Sequence, residues 1–257
     1  MAITTIDYVV FRKLREGGLI PPRPSLLELG EQEWYGDVSL QTLTETIDGL
    51  TDPSRREQLH RRMASLLAEK PATFSWDLTK LFYTVFLDYS RTVAIDLHGT
   101  ETALRLDLNE PVDLGEQFDI VLNGGTAEHV FNLYQFFKSV HELTRPGGLM
   151  LHTGPFQGWI EHGFYSFHPG LFWDLAEANR YEMGMLCYAE LDPPRMVQIA
   201  RREQIVEIVR KGGLAANSVL YAVLRKPAEE APFRIPFQGV YAGKLSDEMM
   251  EAWHKLR

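Results

Sequence analysis

The chain has 257 residues, of which 45% are apolar and 24% are charged, a composition typical of a folded globular protein with a substantial core. Its formal net charge of −9 argues against a nucleic-acid backbone or an anionic membrane as the main partner, since both require a basic surface. The single cysteine, Cys187, excludes an internal disulfide. We see neither a signal peptide nor an apolar run long enough to span a bilayer, and we therefore expect a cytoplasmic protein.

The first third of the chain predicts one buried strand followed by a long helical segment. Residues 25–30 form an apolar run that ends on Gly30, a pattern typical of a short buried strand. Beyond it the chain is polar and helix-prone, and Asp52 before Pro53 is a helix-start signal. Because a compact nucleotide-binding sheet usually has one short helix at this point, we interpret residues 37–90 as an inserted helical subdomain or cap.

The middle of the chain predicts further strands that end on polar residues. Strand two covers residues 92–97 and strand three residues 103–108, each with an aspartate near its end, Asp96 and Asp107. A fourth apolar run leads into Asn123 and a glycine turn, and a helix that opens on Glu128 and His129 follows. A second glycine turn at residues 145–148 then leads into strand five. This βαβ order places the loop after strand four at the carboxyl end of a parallel sheet, where such sheets bind ligands.

The last part of the chain predicts a loop rich in aromatic residues and histidine, and then the closing elements of the sheet. The loop covers residues 154–169 and is followed by a helix from Leu171 to Asn179. Residues 181–190 and 218–225 are predicted to be an antiparallel pair of strands. Between them, residues 195–211 are predicted to be one helix that ends at two glycines. Residues 226–257 are interpreted as a C-terminal extension that ends in a short helix.

This order of residues resembles that of the class I S-adenosylmethionine-dependent methyltransferases over about residues 25–225. The resemblance implies an α/β fold with a doubly wound, mostly parallel, seven-stranded Rossmann-like sheet, in which the helical cap between strands one and two would be an insertion. We interpret residues 1–257 as a single domain. The resemblance also implies S-adenosylmethionine as the cofactor. The residues that it places at the cofactor are Glu28, Gly30, Asp96, Asp107, Asn123 and Gly124, and Gln32 is a further candidate from the first loop.

The chemistry of the two aspartates also supports a contact with the cofactor. A carboxylate has two acceptor oxygens, which suits a pair of vicinal ribose hydroxyls, and a strand end holds it rigidly at the ligand crevice. The structural alternative is that Asp96 and Asp107 only cap turns.

The first loop departs from the glycine-rich pattern of the family, because Glu31, Gln32 and Glu33 follow Gly30. Two alternatives stay open. The loop can follow another path, with Gln32 or Trp34 contacting the cofactor, or the two carboxylates can weaken binding by repelling the carboxylate of the methionine end.

Histidines supply the candidate catalytic groups. His129 lies where the resemblance places the methyl-transfer face, and an imidazole with an intrinsic pKa near 6.5 suits removal of the acceptor's proton. His162, with Trp159 and Tyr165, is a candidate for the acceptor pocket, since aromatic walls and a polar contact are typical of such sites. The alternatives are helix capping around His129 and aromatic packing at the sheet edge. The spacing of His152, His162 and His168 does not match a metal motif, so we predict no metal.

The sequence therefore favours an enzyme that transfers the methyl group of S-adenosylmethionine to an oxygen or nitrogen of a small-molecule acceptor. The alternative is a methyltransferase-like protein that has lost methylation and serves as a binding or scaffolding subunit, or uses the pocket for other chemistry. A nicotinamide-dependent oxidoreductase is weaker, because no G-x-G-x-x-G follows strand one. The expected partner is a small molecule rather than a nucleic acid or a membrane, and a homo-oligomer remains open.

Overall fold

A computed structural model describes residues 2–255 of the chain. The chain divides into two compact units, Met1–Leu106 and Asp107–Arg257, and each unit is described by itself. Among the described residues, every helix is too short or too polar to cross a membrane.

The first unit contains four helices and two strands. In chain order they are α1 (Thr5–Glu16), β1 (Ser25–Leu29), α2 (Leu40–Leu50), α3 (Pro53–Glu69), α4 (Phe74–Leu87) and β2 (Arg91–Ile95). The strands β1 and β2 pair in parallel, from Ser25 opposite Arg91 to Leu29 opposite Ile95. Helices α2, α3 and α4 thus occupy the segment between β1 and β2 for which helices were predicted. That they cap a ligand site stays a prediction.

Local sequence explains how these helices begin and pack. Asp52 accepts hydrogen bonds from the backbone N–H groups of Ser54 and Arg55, and Pro53 is at the first helical position, so the predicted start of α3 is confirmed. An aromatic cluster joins α1 to α4, with the ring centroid of Phe11 5.4 Å from that of Phe82, and the rings of Phe82 and Phe86 4.8 Å apart. Burial of these rings supplies much of the apolar driving force in this unit.

The predicted third strand, residues 103–108, is wrong, because only Leu104 pairs with Ile95, as an isolated parallel bridge. Leu104 and Leu106 stay 38% and 37% exposed, so a longer strand would bury little apolar area. The Arg105 guanidinium instead donates to the backbone carbonyls of Gly99 and Thr100, at 2.7 and 3.0 Å, and holds this segment in a local turn.

The second unit is built on a five-stranded sheet. Its elements are β3 (Phe118–Gly124), a 3₁₀ turn (Ala127–His129), α5 (Leu133–Leu143), β4 (Thr144–Gln157), α6 (Pro169–Asn179), β5 (Glu182–Leu191), β6 (Pro194–Gln198), α7 (Glu203–Arg210), β7 (Ser218–Arg225) and α8 (Asp247–Lys255). Strands β3 and β4 are parallel, and β7 runs antiparallel to both β4 and β5. The predicted antiparallel pair at the end of the chain is therefore confirmed.

Three predicted details of the second unit are wrong. The glycine turn at 145–148 is a bulge inside β4, since Phe118 pairs with Thr144 and Ile120 with Leu149. Residues 195–211 are not one helix, because residues up to Gln198 pair with β5 and only α7 is helical. Glu128 and His129 belong to a 3₁₀ turn that ends before α5 begins.

The strand order of the sheet is β2-β1-β3-β4-β7-β5-β6. The predicted seven-stranded α/β sheet is confirmed, although the seventh strand is the edge strand β6 and not the predicted strand three. Within the second unit β3, β4 and β5 run in one direction, whereas β7 and β6 run against them. Polar residues at the ends of β1 and β2 form a candidate site in the first unit, and polar residues at the end of β3 lead into a second group of candidate residues in the second unit.

Candidate functional site

The loop after β1 turns sharply at Gly30 and folds its polar side chains inward. Gly30 has a φ of 83°, which a residue with a side chain rarely adopts, and its N–H donates to the carbonyl of Ile95 at 2.8 Å. Gln32 is buried, and its side-chain amide donates to the Gly30 carbonyl at 3.0 Å. The glycine predicted at this turn is therefore required by the backbone, and Gln32 stabilises the turn.

A largely covered lysine offsets part of the carboxylate charge at this turn. Lys80 of α4 donates to the Glu28 carboxylate and lies 3.4 Å from that of Glu31. Burial by itself lowers the pKa of the Lys80 ammonium, but the two carboxylates raise it above its usual value, so it stays charged. The Glu31 carboxylate also accepts from the Thr100 N–H at 2.7 Å. The Glu31 carboxylate therefore lies beside a cation and a backbone donor, and a contact of Gln32 or Trp34 with the cofactor stays a prediction.

Asp96, just beyond β2, is held rigidly by two backbone groups. Its Oδ2 accepts from the N–H of Glu31 at 2.8 Å, and its Oδ1 accepts from the N–H of His98 at 2.7 Å. Each carboxylate oxygen keeps a second lone pair for another donor. Leu97, the next residue, is an exposed apolar side chain. This pairing of a fixed acceptor with an uncovered apolar surface suits a nucleoside.

Asp107 belongs to the second unit and is exposed. Its Oδ1 accepts from the backbone N–H and the side-chain amide of Asn109, at 2.9 and 2.7 Å, and these bonds lower the pKa of the carboxyl. Such a turn is the structural alternative considered for this residue. A cofactor contact by Asp107 stays a prediction.

Asn123, at the end of β3, shapes the loop that follows. Its Oδ1 accepts from the N–H groups of Thr126 and Ala127 at 3.1 and 3.0 Å. Its Nδ2 lies 3.2 Å from Nδ1 of buried His152, whose pKa is lowered to about 4 by burial, so a neutral ring can accept the bond. With its amide used in this way, Asn123 positions the loop, and its predicted contact with the cofactor is untested.

Three titratable side chains meet after this loop. His162 Nε2 lies 3.9 Å from Oε1 of Glu128, and the rings of His129 and His162 meet edge to face with centroids 5.1 Å apart. One ligand-type atom from each side chain lies within 4.8 Å of the others. Glu128 is buried, whereas His129 and His162 are exposed. The structure thus brings together the two predicted catalytic histidines and adds a carboxylate that the sequence interpretation missed.

Trp159 and Tyr165, the other two predicted pocket residues, hold in place the loop that carries His162, here called the histidine loop. Trp159 donates from Nε1 to the carbonyl of Ser218 at 3.0 Å, and its ring centroid lies 5.2 Å from that of His162. Tyr165 donates from its hydroxyl to the carbonyl of Phe131 at 2.9 Å. Their contact with an acceptor stays a prediction. Phe131 and Phe164 lie in ring contact nearby and are 71% and 66% exposed, so the sequence interpretation also missed an uncovered apolar surface.

No protein-family model matches the chain. A segment of 60 residues is 33% identical to a ubiquinone biosynthesis O-methyltransferase of Ruegeria pomeroyi and covers 21% of this chain and 24% of that protein. A 59-residue segment is 37% identical to a protein of the same name from Chelativorans sp., with 21% and 23% covered. The matched segment spans about a quarter of the length of these curated relatives.

Among solved structures, a SAM dependent methyltransferase from Archaeoglobus fulgidus aligns over 85% of this chain and 94% of its own, at 10% identity and a TM-score of 0.45. A putative sarcosine dimethylglycine methyltransferase from Galdieria sulphuraria aligns over 88% and 86%, at 12% identity and a TM-score of 0.44. The short sequence matches to O-methyltransferases confirm the predicted resemblance to the S-adenosylmethionine-dependent methyltransferases. The site residues of this chain include the carboxylates of its first loop, which contact Lys80, and the Glu128–His129–His162 cluster.

Proposed function

We propose that the protein transfers the methyl group of S-adenosylmethionine to an oxygen or nitrogen atom of a small-molecule acceptor. The observation that carries the proposal is the cluster of two histidines and a buried carboxyl group beyond β3, on a methyltransferase-like sheet. A base at this place removes the proton that the acceptor loses when it is methylated. An oxygen acceptor is supported by the short sequence matches, since both relatives are named O-methyltransferases.

Residues of the first unit would hold the cofactor, which supplies an electrophilic methyl group. Asp96 would accept hydrogen bonds from the ribose hydroxyls, and Leu97 offers an apolar surface for the base. Gly30, Gln32 and the Lys80-compensated Glu28 would form the turn against which the methionine end packs. Since Lys80 offsets one of the two carboxylate charges, Glu28 and Glu31 would repel an anionic ligand group less than two unpaired charges would.

Residues of the second unit would receive the acceptor. His129 and His162 would act on its proton, and Asn123 and Gly124 would shape the loop that presents them. Trp159 and Tyr165 would line the pocket for the acceptor. The exposed rings of Phe131 and Phe164 support an acceptor with an aromatic or apolar part, because covering them with a ligand removes apolar area from water.

Two measurements on the full chain test this function. Isothermal titration with S-adenosylhomocysteine, up to millimolar ligand, measures cofactor binding. Incubation with methyl-labelled S-adenosylmethionine and catechol, 4-hydroxybenzoate or tyramine, followed by mass spectrometry, measures methyl transfer. Binding together with a labelled product supports the proposal. Binding without product from any such phenol or amine would favour the alternative of a protein that has lost methylation. The absence of binding would refute the proposed methyl transfer and also favour that alternative.

A further inference from the structure

Glu128 is a buried acidic residue for which the fold offers no structural role. It is 1% exposed, and its Oε2 has no hydrogen-bond partner among the described residues. A glutamate near a helix start often belongs to a capping box, in which the side chain of an N-cap threonine also bonds to the backbone of the first turn. Thr126, at the N-cap of the 3₁₀ turn that contains Glu128, forms no such side-chain bond. Burying a carboxyl group without a partner costs stability, and such a group requires an explanation.

The surrounding backbone holds the histidine loop against Glu128. The N–H of Phe164 donates to the Glu128 carbonyl at 2.8 Å. A Cβ on Gly163 would lie 2.9 Å from the same carbonyl oxygen, closer than a side chain tolerates. The glycine therefore permits a close approach that places His162, one residue earlier, beside the Glu128 carboxyl group.

An apolar face of the Glu128 carboxyl group lies against β4. A Cβ on Gly154 of β4 would lie 3.7 Å from Oε2, and the ring of Phe167 covers the same glycine. Among the described residues, the titratable groups that face Glu128 are His162 and His129. Burial and the neighbouring His162 lower the pKa of His129. The His162 ring, with its Nε2 toward Oε1, is therefore the partner open to Glu128.

We propose that Glu128 is the positioning residue for His162. Its carboxylate orients the ring so that Nε2–H points at Oε1, which leaves Nδ1 unprotonated and able to take a proton. The 3.9 Å separation is longer than a hydrogen bond, but His162 is exposed on a loop, and such contacts often tighten only when a ligand binds. A carboxylate that fixes the tautomer of a histidine and stabilises its charged form is a general arrangement for activating a base.

The proton balance of the step is complete, and it rests on the proposed function. Methylation forms a bond between the acceptor atom and the methyl carbon and breaks the bond from that carbon to sulfur, whose electron pair stays on sulfur. The proton of the acceptor goes to Nδ1 of His162. The resulting imidazolium, with Nε2–H toward Glu128, is stabilised by the carboxylate and later returns the proton to water.

Nitrogen NMR of the ¹⁵N-histidine-labelled full chain tests the inference without needing turnover. His162 is assigned from the signals lost in His162→Asn, and its titration is followed from pH 5 to pH 9 in the wild type, in Glu128→Gln and in the matched control Glu142→Gln, an exposed glutamate of α5. The wild type and the control should titrate together, whereas His162 in Glu128→Gln should lose its proton at lower pH, because the carboxylate that stabilises the imidazolium is absent. A His162 that titrates alike in Glu128→Gln and in the wild type would overturn the inference.

Kinetics and metal addition complete the test. With an acceptor that is methylated, Glu128→Gln should lower kcat by about 10²-fold with little change in KM for S-adenosylmethionine. An unchanged kcat would overturn the inference but not the proposed function. If the wild-type protein methylates no acceptor, the proposed function fails and the NMR result alone decides the role of Glu128. If one equivalent of Zn²⁺ binds at micromolar concentration and shifts the His129 and His162 signals together, the cluster is a cation site and the inference is wrong.

Discussion

Replacing Lys80 with methionine should destabilise the protein by about 3 kcal/mol at pH 7. The Lys80 side chain is 13% exposed, and the carboxylates that it contacts are 0% exposed in Glu28 and 3% exposed in Glu31. Removing one partner of a buried ion pair costs about 3–5 kcal/mol, because the remaining charge is buried without compensation, and the residual exposure of Lys80 favours the lower end. Urea unfolding monitored by circular dichroism measures the change in free energy.

The control for this prediction is Lys138→Met. Lys138 forms an ion pair with Glu142 at 2.8 Å on the surface of α5, and we expect its removal to cost less than about 0.5 kcal/mol. The Glu28→Gln change should relieve part of the Lys80→Met loss, because it removes a charge that would otherwise be unpaired. A loss below about 1 kcal/mol in Lys80→Met, or an equal loss in the surface control, would show that the loop carboxylates do not depend on Lys80.

Three further predictions concern Glu128, Asp96 and Gly99. Burial raises the pKa of Glu128 to about 7, so the folded state favours the protonated form of this carboxyl group. The wild type should therefore lose about 3 kcal/mol of stability as the pH rises from about 5 to above 7. Urea unfolding at pH 5 and pH 9 measures this loss, which should be absent in Glu128→Gln. Asp96→Ala should weaken binding of S-adenosylmethionine by about 1.5–3 kcal/mol in titration calorimetry, and an unchanged affinity would remove Asp96 from the site. Gly99→Ala should lower the free energy of unfolding by about 1–3 kcal/mol, because the new Cβ would lie 2.6 Å from Oε2 of Glu31. The control Gly49→Ala, which places its Cβ in open space on α2, should raise the free energy of unfolding, and thermal unfolding measures both changes.

The central, buried strands were the easiest to predict. The apolar runs of β1, β3 and β7 are buried along nearly their whole length, so their composition alone marks them as central strands. The start of α3 was equally readable, since Asp52 and Pro53 act within one turn. Elements at the edge were harder. Residues 103–108 and 194–198 are both half-exposed, and whether such a segment pairs depends on the partner strand and not on its own pattern.

The amino-acid sequence by itself determined the α/β class, the positions of the buried strands, the turn at Gly30 and the aspartate beyond β2, because apolar periodicity, glycine conformation and strand-end polarity act over a few neighbouring residues. Only the tertiary structure decided which charges compensate one another. Lys80 reaches Glu28 and Glu31 from a helix distant in sequence, and the loop that carries His162 folds back onto the 3₁₀ turn of Glu128. Electrostatic pairing and burial depend on distance in space, which local sequence patterns do not contain.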